Sequence, residues 1–462
     1  MALLGFHVVI CLIAITLISK LVNRTNFIHI FITNGLYRFI APSNQELKAL
    51  LPQTKEKMNP RNRRKKREEE ENEGFNVPKS SPFQLKLTSV DVRDLVNFEM
   101  YTALHWLCLV VPVCLLVYSF SEVYNYILPN NKDFNVSIIF MLVIIGFILQ
   151  ILTALSSYLV SNVEERGFML SIGALYFLFS VIFSMSAQRI FDIQMLEAYD
   201  QLGKNIAEFV AKANIIDANV SSIQDYRPTN PLMMYISLSV FFSVLSAMLV
   251  FPNFRCAIMY LKALELDGRF KKALNHTAFL LPAFILALYS NPIVHQLVDG
   301  RRKLMTHDQL DILRVYMVIL WLITKFATRV SHLQAHLNMS YDKVAEMQNE
   351  SGRVKNYTVQ SMIYRYYRYL CCASIQYFGP VLLSLFSALL LKTTANLSWL
   401  GHPNVIEPTD VQNAMTVSGP IRYIFDTMIC RAFFTFFLVV TLLMNFSLNF
   451  MGVVYHSYFV NT

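Results

Sequence analysis

Five polar residues recur at helical spacing within the last long apolar segment of this 462-residue chain. Arg431 and Asn445 lie on one heptad row. Thr435, Asn449 and His456 lie on the adjacent row, and the remaining faces carry Phe, Leu, Val and Met. Polar groups are costly inside a bilayer and usually face a bundle interior or an aqueous cavity. We therefore expect this polar stripe to point into protein, as an ion pathway or as interhelical hydrogen bonds.

Prolines interrupt three other apolar segments, at Pro112, Pro282 and Pro380. A proline inside a helix frees a backbone carbonyl, and transporters use such carbonyls to bind ions. Proline is also tolerated in membrane helices without any such role. The sequence leaves both interpretations open.

A pair of histidines, His332 and His336, has the i, i+4 spacing of two metal ligands on one helix face. No glutamate follows His332 and no third ligand is apparent, so we predict a solvated face here and no metal site. Arg314, Trp321 and Lys325 share this side of the preceding apolar segment. These basic residues are too sparse for a voltage sensor, which needs one at about every third position.

Sequence signatures of catalysis are missing from the chain. There is no HExxH, GxSxG or P-loop motif and no pair of intramembrane aspartates. The seven cysteines include no C-x-x-C pair, so they indicate neither a disulfide framework nor a zinc site. We expect no enzymatic activity, no cofactor and no metal.

The composition indicates the fold class that must position these residues. Hydrophobic residues make up 55% of the chain and charged residues only 15%, against about 25% charged in soluble domains. Several nearly uncharged stretches are long enough to cross a hydrocarbon core of about 30 Å as helices. We predict an all-α integral membrane protein, a polytopic helical bundle with about nine spans and amphipathic interfacial helices. The predicted spans are Leu3–Leu21, Ala103–Leu128, Val136–Val160, Gly167–Ala187, Leu232–Phe251, Thr277–Val294, Ile312–Thr328, Leu370–Leu391 and Thr427–Val454.

The net charge of +9 orients the bundle. Loops after odd-numbered spans carry about 26 Lys and Arg and the other loops about 10, which places the odd loops and the C-terminus in the cytosol. The basic excess therefore reflects topology and acidic headgroups, with the lipid bilayer as partner and no nucleic acid. Residues 1–22 are predicted to be a signal anchor or first transmembrane helix, because Met1–Phe6 lacks a basic residue and no small-residue cleavage site precedes Lys20.

These spans divide the chain into segments. Residues 23–102 are predicted to be a cytosolic charged linker, disordered over residues 41–82, where a basic run is followed at once by an acidic run. The remaining predicted segments are residues 103–187 with spans two to four, 188–231 as a lumenal amphipathic helical loop, 232–330 with spans five to seven, 331–368 as a cytosolic helical hairpin, and 369–462 with the last two spans and a lumenal loop at 392–426.

Residues 253–274 place apolar side chains such as Phe254 and Leu264 at helical spacing among basic residues. This pattern predicts an interfacial amphipathic helix on the cytosolic leaflet. Cys256 lies at its start, and Cys371 and Cys372 open span eight on the same side. The three thiols are candidates for reversible palmitoylation, or small apolar groups packed between helices.

The hairpin at residues 331–368 is the predicted partner surface. The helical period of span seven continues past the membrane to Gly352, and a second helix leads back into span eight. Its candidate contact residues are His332, Gln334, His336 and Tyr341.

Three stretches resemble the transmembrane protein 161 family. They are Phe251-Pro252-Asn253-Phe254-Arg255, the run Ser331-His332-Leu333-Gln334-Ala335-His336-Leu337-Asn338, and Leu390-Leu391-Lys392-Thr393 followed by Asn396 and Trp399. The resemblance covers the whole chain. It implies a eukaryotic multi-pass protein that regulates membrane excitability and calcium and potassium handling, with no established catalytic activity.

The resemblance thus implies a regulator of ion currents or ion homeostasis, and we expect it to bind ion-channel subunits through the hairpin. The alternative is a transporter or channel that uses the polar stripe, and a membrane-embedded enzyme is the least favoured class. The expected location is the endoplasmic reticulum, another endomembrane or the plasma membrane.

The topology predicts which N-x-[ST] sites carry glycan. Asn135, Asn219 and Asn396 fall in non-cytosolic loops, whereas Asn349 falls in the cytosolic hairpin. We expect glycosidase treatment to shift the electrophoretic mobility of the wild type and of Asn349→Gln, and a smaller shift in Asn219→Gln. A mobility shift that only Asn349→Gln abolishes would invert the topology.

Overall fold

A computed structural model describes nine stretches of the chain: residues 6–21, 27–51, 74–82, 84–128, 135–160, 163–212, 230–300, 303–401 and 424–460. Asn219 and the basic and acidic runs of the linker lie outside these residues, so the expectations for them stay predictions.

Helices make up most of the described chain. They are α1 (Phe6–Leu21), α2 (Asn44–Ala49), α3 (Val92–Leu95), α4 (Tyr101–Ile127), α5 (Ser137–Leu159), α6 (Val163–Ile190), α7 (Met195–Lys212), α8 (Leu232–Leu266), α9 (Arg269–Leu288), α10 (Asn291–Val294), α11 (His307–Asn349), α12 (Asn356–Arg368), α13 (Leu370–Thr394) and α14 (Thr427–Tyr455). Short π-helical turns occupy His29–Thr33, His295–Asp299 and His456–Val460. The described residues of the nine predicted spans lie almost entirely on helices, because long apolar runs satisfy their backbone groups only in this way within a bilayer.

Six helical stretches of the described residues are long and apolar enough to cross a membrane. They are α4, α5, α6, α8, the continuous stretch Asn356–Thr394 and the stretch Thr427–Phe459. The all-α polytopic class is therefore confirmed, whereas the count of about nine spans is not. Helix α1 has only 16 residues, and α9 and α11, which carry predicted spans six and seven, contain more charge. Predicted span six is also interrupted, since α9 ends at Leu288 and α10 begins at Asn291.

Contacts between distant segments sort the helix ends into two groups. At the first end, Glu122 contacts Lys392, Phe191 forms a bridge with Ser290, and Arg431 contacts Asp308. At the second end, Glu99 contacts Arg368, and Ser331 contacts Asp267. The segments predicted to be lumenal thus meet at one end of the bundle, and those predicted to be cytosolic meet at the other. Helix α7, in the predicted lumenal loop, packs against α14 at the first end.

Four helices contain an internal proline, at Pro112, Pro252, Pro282 and Pro380. Each proline leaves the carbonyl four residues earlier without its helical donor. For three of them a side chain of a neighbouring helix supplies the missing bond. These bonds run from Ser156 Oγ to the Met248 carbonyl (3.4 Å), from Trp321 Nε1 to the Ala278 carbonyl (3.0 Å) and from Cys256 Sγ to the Gln376 carbonyl (3.6 Å). At these three positions the freed carbonyl accepts a hydrogen bond from a side chain of the protein.

The predicted disordered linker is partly wrong. Strand β1 (Tyr37–Ile40) pairs antiparallel with β3 (Lys86–Ser89), and β2 (Asn76–Pro78) pairs antiparallel with β4 (Arg353–Lys355). Residues 41–51 and 74–82 are therefore ordered against the hairpin. The physical reason is an apolar core that the linker shares with the hairpin. Its buried members are Leu47, Phe75, Val77, Val344, Met347, Val359 and Ile363.

Asn356 fastens the linker to the hairpin. Its Oδ1 accepts from the Phe75 backbone N–H (3.2 Å), and its Nδ2 donates to Asn44 Oδ1 (3.0 Å). We call the unit formed by α2, the four strands, residues 331–349 of α11 and α12 the strand–hairpin module. The expected projecting hairpin is present in it, but as one part of a packed unit.

The predicted interfacial helix at residues 253–274 is not a separate element. Residues 253–266 continue α8 past Pro252, the chain turns at Asp267 and Gly268, and α9 begins at Arg269. The start of this segment is interior because Asn253 is buried and Phe254 packs on Phe168. The exposed part is the end of α8, the turn and the start of α9.

The proline at position 282 generates a stability prediction. Trp321→Phe removes the N–H that satisfies the Ala278 carbonyl inside the bundle, and an unsatisfied buried acceptor costs about 1–3 kcal/mol. We expect a lower midpoint of thermal unfolding in detergent. The matched control is Trp106→Phe, because Trp106 is exposed on the bundle surface. Equal midpoints for the two variants would contradict this role of the indole.

Candidate functional site

Five charged side chains meet at the first end of the bundle, beside the end of α6 and the starts of α11 and α14. We call them the charge cluster. Arg314, only 1% exposed, donates from Nη1 to Asp311 Oδ1 (2.5 Å) and from Nη2 to Asp192 Oδ2 (3.1 Å). Arg431 donates to Asp308 Oδ1 (3.0 Å) and pairs with Asp311. Asp311 therefore links the two arginines.

Arg314 also closes the C-terminus of α9. Its Nε and Nη2 donate to the Leu288 carbonyl at 3.2 and 2.9 Å. The last carbonyls of a helix have no intrahelical donor and carry partial negative charge, so a cation there is favourable. The guanidinium carbon lies 4.1 Å from the centre of the Tyr289 ring. These contacts compensate for burying a charge.

A cavity of about 220 Å³ adjoins the charge cluster. It is lined by Asp192, Ile193, Gln194, His307, Asp311, Arg314, Met428, Arg431, Ala432 and Thr435. Its two arginines and two aspartates balance in formal charge, and the space is large enough for several waters or a small polar molecule. Thr435 is only 5% exposed and lines the wall.

Three asparagines form a second polar group, the asparagine network, deeper between α8, α13 and α14. Asn253 donates to Asn445 Oδ1 (3.3 Å), and Asn449 donates to Asn253 Oδ1 (2.7 Å). Asn445 also approaches the Pro380 carbonyl and Ser384 Oγ, both at 3.5 Å. Gly452 permits this close packing, since a Cβ there would lie 2.8 Å from the Ala257 Cβ. The side-chain amides of these asparagines form hydrogen bonds between helices.

The predicted polar stripe points into protein as expected, but it does not form one site. Arg431 and Thr435 belong to the charge cluster and its cavity. Asn445 and Asn449 belong to the asparagine network. His456 lies at the second end of the bundle, beside Phe254 and Tyr455. Arg431 pairs with Asp308 and Asp311 at the first end of the bundle.

The predicted solvated histidine face is wrong. His332 and His336 are both buried, and burial lowers the pKa of each imidazole to about 3. His332 Nδ1 lies 2.9 Å from the Thr328 carbonyl oxygen, and His336 Nε2 lies 3.1 Å from the Tyr366 carbonyl oxygen. His336 thereby joins α11 to α12, and the His332 ring packs on the Tyr377 ring of α13 with centres 5.0 Å apart. Neither buried imidazole can contribute to a partner surface. Among the described residues, no group of three His, Cys, Asp or Glu side chains could hold a metal ion.

The other two predicted partner-surface residues differ from each other. Gln334 binds the main chain of Tyr37, accepting from its N–H (2.9 Å) and donating to its carbonyl (3.0 Å). Tyr341 is 54% exposed and stacks on Phe39 with ring centres 5.6 Å apart. Tyr341 alone of the four predicted residues is exposed.

The palmitoylation prediction does not fit the structure. Cys256, Cys371 and Cys372 are buried between helices, where no acyl chain fits without moving them. Cys256 instead donates to the Gln376 carbonyl, which Pro380 leaves without its helical donor. The alternative, small thiols packed in the core, is the one that the structure supports.

Two of the predicted glycosylation residues are described. Asn135 precedes α5 and accepts from the Ser137 N–H through Oδ1 (3.1 Å). Asn396 follows α13 in a left-handed conformation with φ of 53°. Both are half-buried at the first end of the bundle. Their modification stays a prediction.

The aspartates of the charge cluster were not recognised as candidates from the sequence, and neither was Asn253. A signal for Asp311 existed, since it lies three residues before Arg314, on the same side of the helix. A charged group in an apolar helix needs a counter-charge, and the nearest one in sequence is the first to consider. Asp192 lies 122 residues away along the chain and gave no such signal.

A comparison with known families identifies the chain. A family model described as "Predicted transmembrane protein 161AB" matches residues 2–460. No solved structure matches the chain.

The charge cluster generates a stability prediction. Arg314→Gln leaves Asp311 and Asp192 short of their shared cation, and breaking a buried pair costs about 3–5 kcal/mol. We expect a large fall in the unfolding midpoint and an intermediate fall for Arg314→Lys, which keeps the charge but not the forked geometry. Arg368→Gln is the matched control, because its pair with Glu99 is half exposed. A loss no larger than that of the control would contradict a structural role for the cluster.

Proposed function

The chain belongs to the transmembrane protein 161A/B family, and we propose that it is a non-enzymatic multi-pass protein that regulates ion currents or ion homeostasis through partner channels. Membrane excitability and calcium and potassium handling are the processes that the family resemblance implies. The protein is an integral membrane protein, with the endoplasmic reticulum, another endomembrane or the plasma membrane as its proposed location. Channel subunits are proposed to bind the strand–hairpin module.

The observation that carries this proposal is an exposed aromatic patch on the module. Tyr341 stacks on Phe39, and Phe39 pairs with Leu87 across strands β1 and β3, so the three side chains share one face. Leu87 and Tyr341 are exposed. Large exposed apolar side chains on a rigid unit are typical of protein interaction sites, and Tyr is enriched among the residues that dominate binding energy.

The patch is held rigidly, which favours a binding role. Gln334 fixes both polar groups of the Tyr37 main chain at the start of β1. Arg38 points to the opposite side, where it pairs with Asp94 (2.6 Å) and lies 4.2 Å from the Tyr367 ring centre. A surface that is already ordered loses little entropy when a partner binds.

The test is co-purification and current recording with patch variants of the full chain. Tyr341→Ala should reduce recovery of calcium- or potassium-channel subunits about ten-fold or more, as expected for a central aromatic contact, and should reduce the effect on their currents in parallel. Lys343→Ala is the control, since Lys343 is exposed on the same helix and pairs with nearby Glu346. Equal recovery with both variants would place the partner surface elsewhere.

A second candidate function, direct transport, is favoured by the cavity beside Thr435 at one end of the polar stripe. Liposomes that contain only the purified protein separate the two functions, because intrinsic ion flux supports transport. If the polar stripe is a transport pathway, Asn445→Leu and Asn449→Leu should change the ion flux and leave the midpoint of thermal unfolding unchanged. If the asparagine network is structural, both variants lose stability and activity falls only in proportion to folded protein.

A further inference from the structure

The turn between α8 and α9 exposes two large apolar side chains. Phe270 is 82% exposed and Leu266 is 59% exposed. Ser331 Oγ donates to Asp267 Oδ1 (3.2 Å), which places the turn beside Ser331 of α11. Ser331 lies three residues beyond Thr328, the predicted end of span seven, or about 5 Å along the helix. The turn therefore lies at the level of the membrane surface on the predicted cytosolic side.

The same turn carries three positive charges. Arg269, Lys271 and Lys272 occupy the first turn of α9, which contains no acidic residue and no side-chain cap. Asp267, the nearest acid in the sequence, has its carboxylate turned inward, where Oδ2 accepts from Asn275 (2.8 Å) and Oδ1 from Ser331. Glu265, the next acid, pairs with Lys262 (3.6 Å). Cations at a helix N-terminus face the positive end of the helix dipole. This surface is complementary to negative charge.

We propose that residues 266–272, the α8–α9 turn, bind anionic phospholipids of the adjacent leaflet. Phe270 and Leu266 enter the boundary between headgroups and acyl chains, and the three cations contact lipid phosphates and carboxylates. Apolar and basic side chains combined at membrane level are the pattern of interfacial binding, and the cytosolic leaflet is the negatively charged one. The proposal concerns lipid recognition and does not depend on any role in ion currents.

The first experiment measures headgroup preference. Delipidated full-length protein in neutral detergent is titrated with phosphatidylserine or phosphatidylcholine, and bound lipid is counted by native mass spectrometry. Each cation near an anionic surface contributes about five-fold, so the combined variant Arg269→Gln, Lys271→Gln, Lys272→Gln should lose about 100-fold of the preference for phosphatidylserine. The control removes the same charge from the module with Lys343→Gln, Arg353→Gln and Lys355→Gln, all exposed residues. It should retain the preference.

The second experiment locates Phe270 and does not depend on the cation variants. Phe270→Trp is reconstituted in bilayers whose acyl chains carry bromine, and its fluorescence is compared with that of the wild type, which contains three tryptophans. Additional quenching by brominated chains and protection from aqueous iodide are the expected results. Quenching by iodide alone would show that the turn faces water or a protein partner and would overturn the proposal. An unchanged phosphatidylserine preference in the triple variant would overturn it equally.

Discussion

A polar group inside this bundle is costly unless it has a partner within the protein, and this constraint explains the placement of several unusual residues. Three helices contain a proline whose freed carbonyl would otherwise be unsatisfied in a medium without water. Ser156, Trp321 and Cys256 each donate to one of these carbonyls from a neighbouring helix. The prolines and their donors therefore fix which helices lie side by side. A tryptophan and a cysteine that look apolar in the sequence are hydrogen-bond donors in the fold.

The same constraint governs the charges. Arg314 is tolerated in the interior because two carboxylates, a helix C-terminus and an aromatic face surround it. Arg431 uses the second oxygen of Asp311. A buried ion pair of this kind contributes little net stability compared with apolar packing, but the loss of one member is severe. The cluster thus specifies one arrangement of α6, α9, α11 and α14.

Helix α11 connects the two ends of the molecule. Its 43 residues span about 65 Å, roughly twice the thickness of a hydrocarbon core, so it must extend well beyond the membrane. The charge cluster lies at its start, and the strand–hairpin module is built on its last five turns. Within this extension, buried His332 packs on Tyr377, and buried His336 contacts the Tyr366 carbonyl. Because one continuous helix carries both, the module has a fixed position relative to the bundle.

The sequence by itself determined the membrane class, the positions of the long helices, the inward direction of the polar stripe and the extension of span seven. These properties follow from local composition and from the helical period, which act over a few turns of chain. Tertiary structure decided which polar residues meet. Asp192 reaches Arg314 across 122 positions, and β2 pairs with β4 across about 277 positions, so neither contact leaves a local pattern. The burial of His332, His336 and Cys256 also depends on tertiary structure, because the neighbours that exclude water from these side chains come from other helices.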